Sequence, residues 1–240
     1  MSLDLQLIVN SFFSLLDFTG LTLLSLTIYR IPVTLYWKRL IVIQFVFLAV
    51  MLVHDYIFLN RDFYTLTIPI TAIILSTFLL RIPFLYSALI WGTGYLINSI
   101  MQILVALLLT ETGFVSSEQL IEQPAIRNAV MFIFFLINLT IVYFMEKKRL
   151  GFMFIMNRFR MQKRNIQIKD IFITTFLLCT IGLAQWGIIS FRTELSNHYL
   201  FYVLIIMIVI SLVGLYVTYK FNMKEIDERF SALRGRKIDR

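Results

Sequence analysis

Phe84-Leu-Tyr-Ser-Ala-Leu-Ile-Trp91-Gly-Thr-Gly-Tyr95-Leu-Ile-Asn98-Ser-Ile-Met-Gln102-Ile-Leu-Val-Ala-Leu-Leu-Leu-Thr110 contains no Asp, Glu, Lys, Arg, His or Pro. At about 1.5 Å rise per residue a helix of this stretch is roughly 40 Å long, enough to cross a hydrocarbon core of about 30 Å. A helix apolar on nearly every side has to be surrounded by lipid or by protein. Among its polar and amphipathic residues, Trp91, Tyr95, Asn98 and Gln102 are spaced 4, 3 and 4 and so share one face. The segment reads as a membrane helix with one inward side.

Six further apolar runs accompany it, at 5–28, 40–59, 63–80, 128–145, 171–191 and 200–219. The expectation is an all-α polytopic bundle of seven transmembrane helices. Charge sets its direction. Of the 22 Lys and Arg residues, all but Arg61, Arg127 and Arg192 fall in segments that alternate with basic-poor ones. Short loops rich in Lys and Arg stay in the cytoplasm, so the N-terminus is expected outside and the C-terminus inside the cell membrane. Residues 1–219 form one transmembrane domain carrying a basic cytoplasmic loop at 146–170, and 220–240 form a cytoplasmic helical tail.

Composition agrees, with 59% apolar residues, a mean hydropathy of +0.83 and a pI near 9.7. The net charge of +8 sits beside spans, so anionic membrane lipids rather than nucleic acid are the expected partner. The opening Met-Ser-Leu-Asp lacks the basic start of a secretory signal, and no cleavage is expected. Cys179 is the sole cysteine and offers neither a disulfide framework nor a thiolate cluster. No HExxH, GxSxG, GxGxxG or Gly-Asp pair occurs, and Cys179 and His198 fall at different depths. No enzyme, metal or cofactor is expected.

Two turns repeat a pattern, Arg30-Ile31-Pro32 and Arg81-Ile82-Pro83, each followed by a tyrosine, Tyr36 or Tyr86. A recurring membrane turn or a duplicated helix pair would both produce it. The outer loop 111–123 carries Glu111, Glu118 and Glu122. On the other side Lys147, Lys148, Arg149, Arg158, Arg160, Lys163 and Arg164 are interleaved with Leu150, Phe152, Phe154, Ile155 and Phe159. Such a segment can lie among headgroups with its charges on phosphates, or dock a cytoplasmic protein. Beyond it, Tyr216, Tyr219, Met223, Ile226, Phe230 and Leu233 are spaced 3, 4, 3, 4 and 3, a short coiled-coil seam that would hold a homodimer.

Ionisable groups at bilayer depth cost about 2.5 to 3.5 kcal/mol and are usually paired or functional. Asp17, halfway along the first run, is the clearest candidate. It reads either as a carboxylate bonded to a neighbouring helix or as a ligand contact. The face of Trp91, Tyr95, Asn98 and Gln102 reads either as the floor of a ligand pocket or as interhelical glue. Asn10, Asn138 and Gln185 are candidates for the same network. His54-Asp55-Tyr56 matches a phosphoacceptor triplet, but on the side away from ATP, and is set aside.

The chain resembles the multi-span sensor half of Gram-positive AgrC-like, GHKL-type peptide-sensing histidine kinases. The likeness rests on Tyr36-Trp37-Lys38-Arg39, Arg81-Ile82-Pro83, Ile121-Glu122-Gln123-Pro124-Ala125-Ile126-Arg127, Lys148-Arg149-Leu150-Gly151-Phe152, and a last span running straight into a helix. It implies spans that receive an extracellular peptide and a dimerising arm that passes the signal to a cytoplasmic protein. The chain departs from that family in having no phosphoacceptor, Asn box or Gly-rich lid. Signal relay is therefore the leading expectation, with a transport component using Asp17 and Asn98, and an immunity-type membrane protein, as alternatives.

Overall fold

The computed structural model describes residues 3–54, 64–152 and Phe201–Gly214, with Gly182, Tyr216, Tyr219, Lys220 and Met223 beyond them. Among these residues all regular structure is helical. In chain order the helices are α1 (Leu3–Ile28), α2 (Val33–Val53), α3 (Tyr64–Leu79), α4 (Phe84–Glu111), α5 (Ser117–Glu122), α6 (Pro124–Lys147) and α7 (Phe201–Gly214). Four segments are long and apolar enough to cross a membrane: Gln6–Ile28, Val33–Val53, Phe84–Glu111 and Pro124–Lys147. Thr67–Leu79 and Phe201–Gly214 are shorter apolar helices. The expected sixth run at 171–191 lies outside the described residues apart from Gly182. So do Asp55, Tyr56, Arg61, Arg158, Arg160, Lys163, Arg164, Ile226, Phe230 and Leu233.

Cross-helix pairs fix the directions. Asn10 meets Asn128 and Phe13 meets Phe132 at one end of α1, while Phe152 N bonds Ile28 O at the other. Helices α1 and α6 are therefore parallel. Asp17 faces Gln102 and Tyr29 faces Thr93, which makes α4 antiparallel to both. Phe18 against Phe47 and Thr22 against Gln44 do the same for α2 with α1, and Ser76 against Trp91 across the short turn 80–83 does so for α3 with α4. Helix α1 thus sits between α2, α4 and α6, with α3 packed on α2 and α4.

The core between them is built from Phe18, Leu24, Tyr29, Ile43, Phe47, Ile90, Trp91 and Leu96, and α7 adds Val203 and Met207. Facing outward are Phe12, Phe45, Phe78, Leu108, Leu136 and Phe144. A row of exposed rings and aliphatic chains is a liability in water and costs nothing in hydrocarbon.

This arrangement brings Arg30, Lys38, Arg39, Arg81, Lys147, Lys148 and Arg149 to one end of the bundle. Glu111, Glu118 and Arg127 lie at the other. Lys38 rides over the Trp37 ring at 5.6 Å and Arg39 over Tyr36 at 5.9 Å. Both sit on the first turns of α2, which starts at Val33, well before the apolar run at 40. Pro32 permits this early start. It occupies the N-cap position, as Pro83 does for α4, while Pro124 opens α6 at its first turn. In each case the missing N–H is one that a helix start leaves unpaired anyway. Pro69 lies inside α3, where it removes one backbone bond.

Three helices close at the basic end on an arginine in the left-handed region, Arg30 (φ 51), Arg81 (φ 58) and Arg149 (φ 52). Arg30 N bonds Thr27 O at 2.9 Å and Ile31 N bonds Leu26 O at 3.0 Å. Arg149 N and Leu150 N repeat that pair on Glu146 O (3.1 Å) and Met145 O (2.8 Å). These are Schellman closures, a geometry that glycine normally fills. After Arg81 the closure is looser, Ile82 N reaching Ser76 O at 3.3 Å.

At the opposite end the loop between α4 and α6 is not featureless. Ser116 Oγ accepts from Gln119 N at 3.1 Å and Gln119 Oε1 accepts from Ser116 N at 3.0 Å. This capping box starts the six-residue α5.

Candidate functional site

Polar bridges cross between helices at stacked levels. Asn128 Nδ2 donates to Asn10 Oδ1 at 2.7 Å near the acidic end. One level deeper, Gln102 Nε2 donates to Asp17 Oδ2 at 3.3 Å. Asn138 Nδ2 then donates to Asn98 Oδ1 at 2.8 Å, joining α6 to α4. Gln44 Nε2 donates to Thr22 Oγ1 at 2.8 Å, joining α2 to α1. Near the basic end Tyr29 OH lies 2.9 Å from Thr93 Oγ1. Because Thr93 Oγ1 already donates to Leu89 O, the tyrosine is the donor. The same logic applies at Ser76, whose hydroxyl donates to Ala72 O and receives Trp91 Nε1–H.

The hydrogen bonds of the expected face of α4 are thereby divided among three neighbours. Trp91, 1% exposed, donates to α3 and stands edge-on to Phe47 of α2. Tyr95 is buried beside it. Asn98 turns to α6 and Gln102 to α1. Four residues on one stripe can do this because α4 is central and its stripe spans three interhelical seams. Asn10 and Asn138 join the ladder, whereas Gln185 lies outside the described residues.

Two of the residues singled out from sequence, Asp17 and Gln102, bond each other. The pair is incomplete. Asp17 Oδ1 is enclosed and has no hydrogen-bond partner among the described residues. An unmet carboxylate oxygen in a low-dielectric interior is costly, and such groups mark places where a proton, cation or donor can act.

Sequence reasoning passed over the glycine contacts that make the ladder possible. A Cβ on Gly94 would stand 1.8 Å from Ser25 Oγ and 2.9 Å from Ser25 Cα, so α1 and α4 touch backbone to backbone there. On Gly20 it would meet Asn138 at 3.2 Å. Gly94 leaves α4 unbroken, acting by small size, as in close-packed membrane helices.

At the basic end the last turns of α1 and α6 are clamped reciprocally. Phe152 N donates to Ile28 O at 2.8 Å, and Arg30 Nε donates to Leu150 O at 3.4 Å. The first bond occupies a carbonyl that the end of α1 leaves open, and the second ties the chain after α6 to the chain after α1. Gly151 (φ 123) permits the approach, since a Cβ there would lie 2.7 Å from Ile28 O and 3.0 Å from Thr27 O. The rings of Tyr29 and Phe152 meet at the joint, tilted by 40° with centroids 5.8 Å apart.

The other candidates are less informative. His54 is buried at the C-cap of α2. Lys147, Lys148 and Arg149 are exposed at the basic end; Tyr219 and Met223 of the proposed dimer seam are exposed too. No His, Cys, Asp and Glu group suited to a metal gathers among the described residues. No family model matches the chain, and neither a curated protein nor a solved structure matches it.

Proposed function

We propose that the protein is an integral membrane sensor or regulatory protein of seven spans, with its N-terminus outside and its basic end and tail in the cytoplasm. It forms a homodimer through Tyr219, Met223, Ile226, Phe230 and Leu233, and it relays an extracellular signal, a peptide in the family it resembles, to a cytoplasmic partner. A ligand can drive such a relay only by preferring one of two arrangements of the bundle. The observation that carries this reading is the half-satisfied Asp17–Gln102 pair at the junction of α1 and α4. A carboxylate with one oxygen bonded and one bare can change partners at little cost. The rest of the ladder holds α1, α4 and α6 as a unit that transmits the shift from the acidic end to the clamp between Ile28 and Phe152.

The same carboxylate favours a second reading, transport of a small solute or cation past Asp17, as in carriers with midplane sites. Reconstitution separates the two. Under the relay reading, single cysteines at Met223, Ile226 and Phe230 cross-link in pairs more efficiently than off-seam neighbours, Asp17→Asn alters that cross-linking, and liposomes accumulate no solute in an Asp17-dependent way. Equal cross-linking along the whole tail removes the relay, and Asp17-dependent uptake replaces it with transport.

A further inference from the structure

A cleft of about 230 Å³ opens at the basic end between the last turns of α1 and α6. Arg30 and Arg149, each two residues past its helix, both line it, and the wall also includes Thr27, Met145, Glu146 and Leu150. Both arginines hold left-handed backbone that glycine would adopt without strain, so the backbone at these two positions does not call for a long side chain, and among the described residues the only bond a side chain there gives the fold is that of Arg30 Nε to Leu150 O. What the side chains do supply is a pair of guanidiniums facing one opening.

We propose that this cleft binds the phosphate of an anionic phospholipid headgroup. Arginine presents a planar fork of N–H donors suited to phosphate oxygens and is charged at any physiological pH. Arg30 commits its Nε to Leu150 O, which orients the guanidinium and leaves its terminal nitrogens for the ligand. Thr27 is 5% exposed, and its Oγ1 is enclosed without a hydrogen-bond partner among the described residues, so the wall holds a donor that the protein itself does not use. Glu146 opposes an anion, but Arg30, Arg149 and the adjacent Lys147 and Lys148 outnumber it. Met145 and Leu150 give the opening an apolar side, and Leu150 is itself exposed, matching a ligand that carries acyl chains. The site is independent of the relay reading, since it needs only that this end of the bundle meets a membrane surface.

The test is native mass spectrometry of the full chain released from nanodiscs of phosphatidylcholine mixed with phosphatidylglycerol. The wild type is expected to retain phosphatidylglycerol selectively. Arg30→Gly with Arg149→Gly should lower that retention by roughly tenfold, the loss expected for charged hydrogen bonds, with a melting temperature close to wild type because the left-handed strain that glycine relieves offsets the Arg30–Leu150 bond that it removes. Lys38→Gln with Arg39→Gln removes the same charge from the same end outside the cleft and should change retention by less than about threefold. Glu146→Gln should raise retention, independently of how the glycine variants fold. Equal losses in the two double variants, retention unmoved by Glu146→Gln, or displacement of the lipid by inorganic phosphate would each overturn the proposal.

Discussion

Ser25 fills the space that any side chain on Gly94 would need: a Cβ there would stand 2.6 Å from Ser25 Cβ and 2.9 Å from its Cα. Because the obstruction includes backbone, α1 and α4 would have to separate. The seam they share holds the Asp17–Gln102 and Tyr29–Thr93 bonds, so separation would disturb both.

Gly94→Ala is therefore expected to destabilise the protein by about 1 to 3 kcal/mol, the usual cost of overpacking. Thermal unfolding in detergent measures it. Adding Ser25→Gly should recover part of the loss, since the serine side chain goes while the backbone obstruction stays. A Gly94→Ala protein as stable as wild type would mean that the two helices do not meet at this point.

At Gly151 two demands coincide, a left-handed φ and close approach to Ile28 O. Gly151→Ala should cost about 1 to 3 kcal/mol and expose the chain after α6 to protease. Limited proteolysis checks this, with the cleavage site expected just beyond Phe152.

Asn98 and Asn138 are 4% and 1% exposed and bond each other. Replacing either by alanine leaves the other unpaired inside the bundle. A double-mutant cycle with Asn98→Ala and Asn138→Ala should give a coupling of about 0.6 to 2 kcal/mol, the range for amide pairs between membrane helices. A coupling indistinguishable from zero contradicts the pairing.

Arg81 separates backbone strain from the lipid cleft, which it does not line. Arg81→Gly should raise stability by up to about 1 kcal/mol by relieving the left-handed strain, whereas Arg81→Val should lower it because a β-branched side chain tolerates that region poorly. Circular dichroism melts of the two variants should bracket the wild type.

The apolar runs forecast the helices well where length and composition suffice. Phe84–Glu111 lies almost where the uncharged stretch places it, because nothing within 84–110 can interrupt a helix in lipid. Starts were less legible. Helix α2 begins at Val33 rather than near 40, because Lys38 and Arg39 can sit on a helix at the membrane surface as well as in a loop. Ser116 and Gln119 carried a capping signal for α5, but their segment read as loop because it is polar and short.

Within the bundle, polarity pointed to Asp17, Asn98 and Gln102, since an amide or carboxylate in an apolar run stands out. Which partner each would take was not legible, because one face of a central helix can serve several seams. The close approach of Gly94 to Ser25 was missed for a related reason. A small residue on a helix says that something can come close, and only the packed structure says what. Arg149 was read among the charges that meet lipid headgroups and Arg30 as part of a basic turn, while their pairing and their left-handed backbone were invisible in the sequence.

The relay requires the bundle to lie across the membrane with Glu118 outside and Lys148 inside. In a Cys179→Ser background, single cysteines at Glu118 and at Lys148 can be challenged with a membrane-impermeant maleimide on intact cells. The predicted result is labelling of Glu118→Cys in intact cells and of Lys148→Cys only after permeabilisation. Labelling of Lys148→Cys in intact cells, with Glu118→Cys protected, would contradict it.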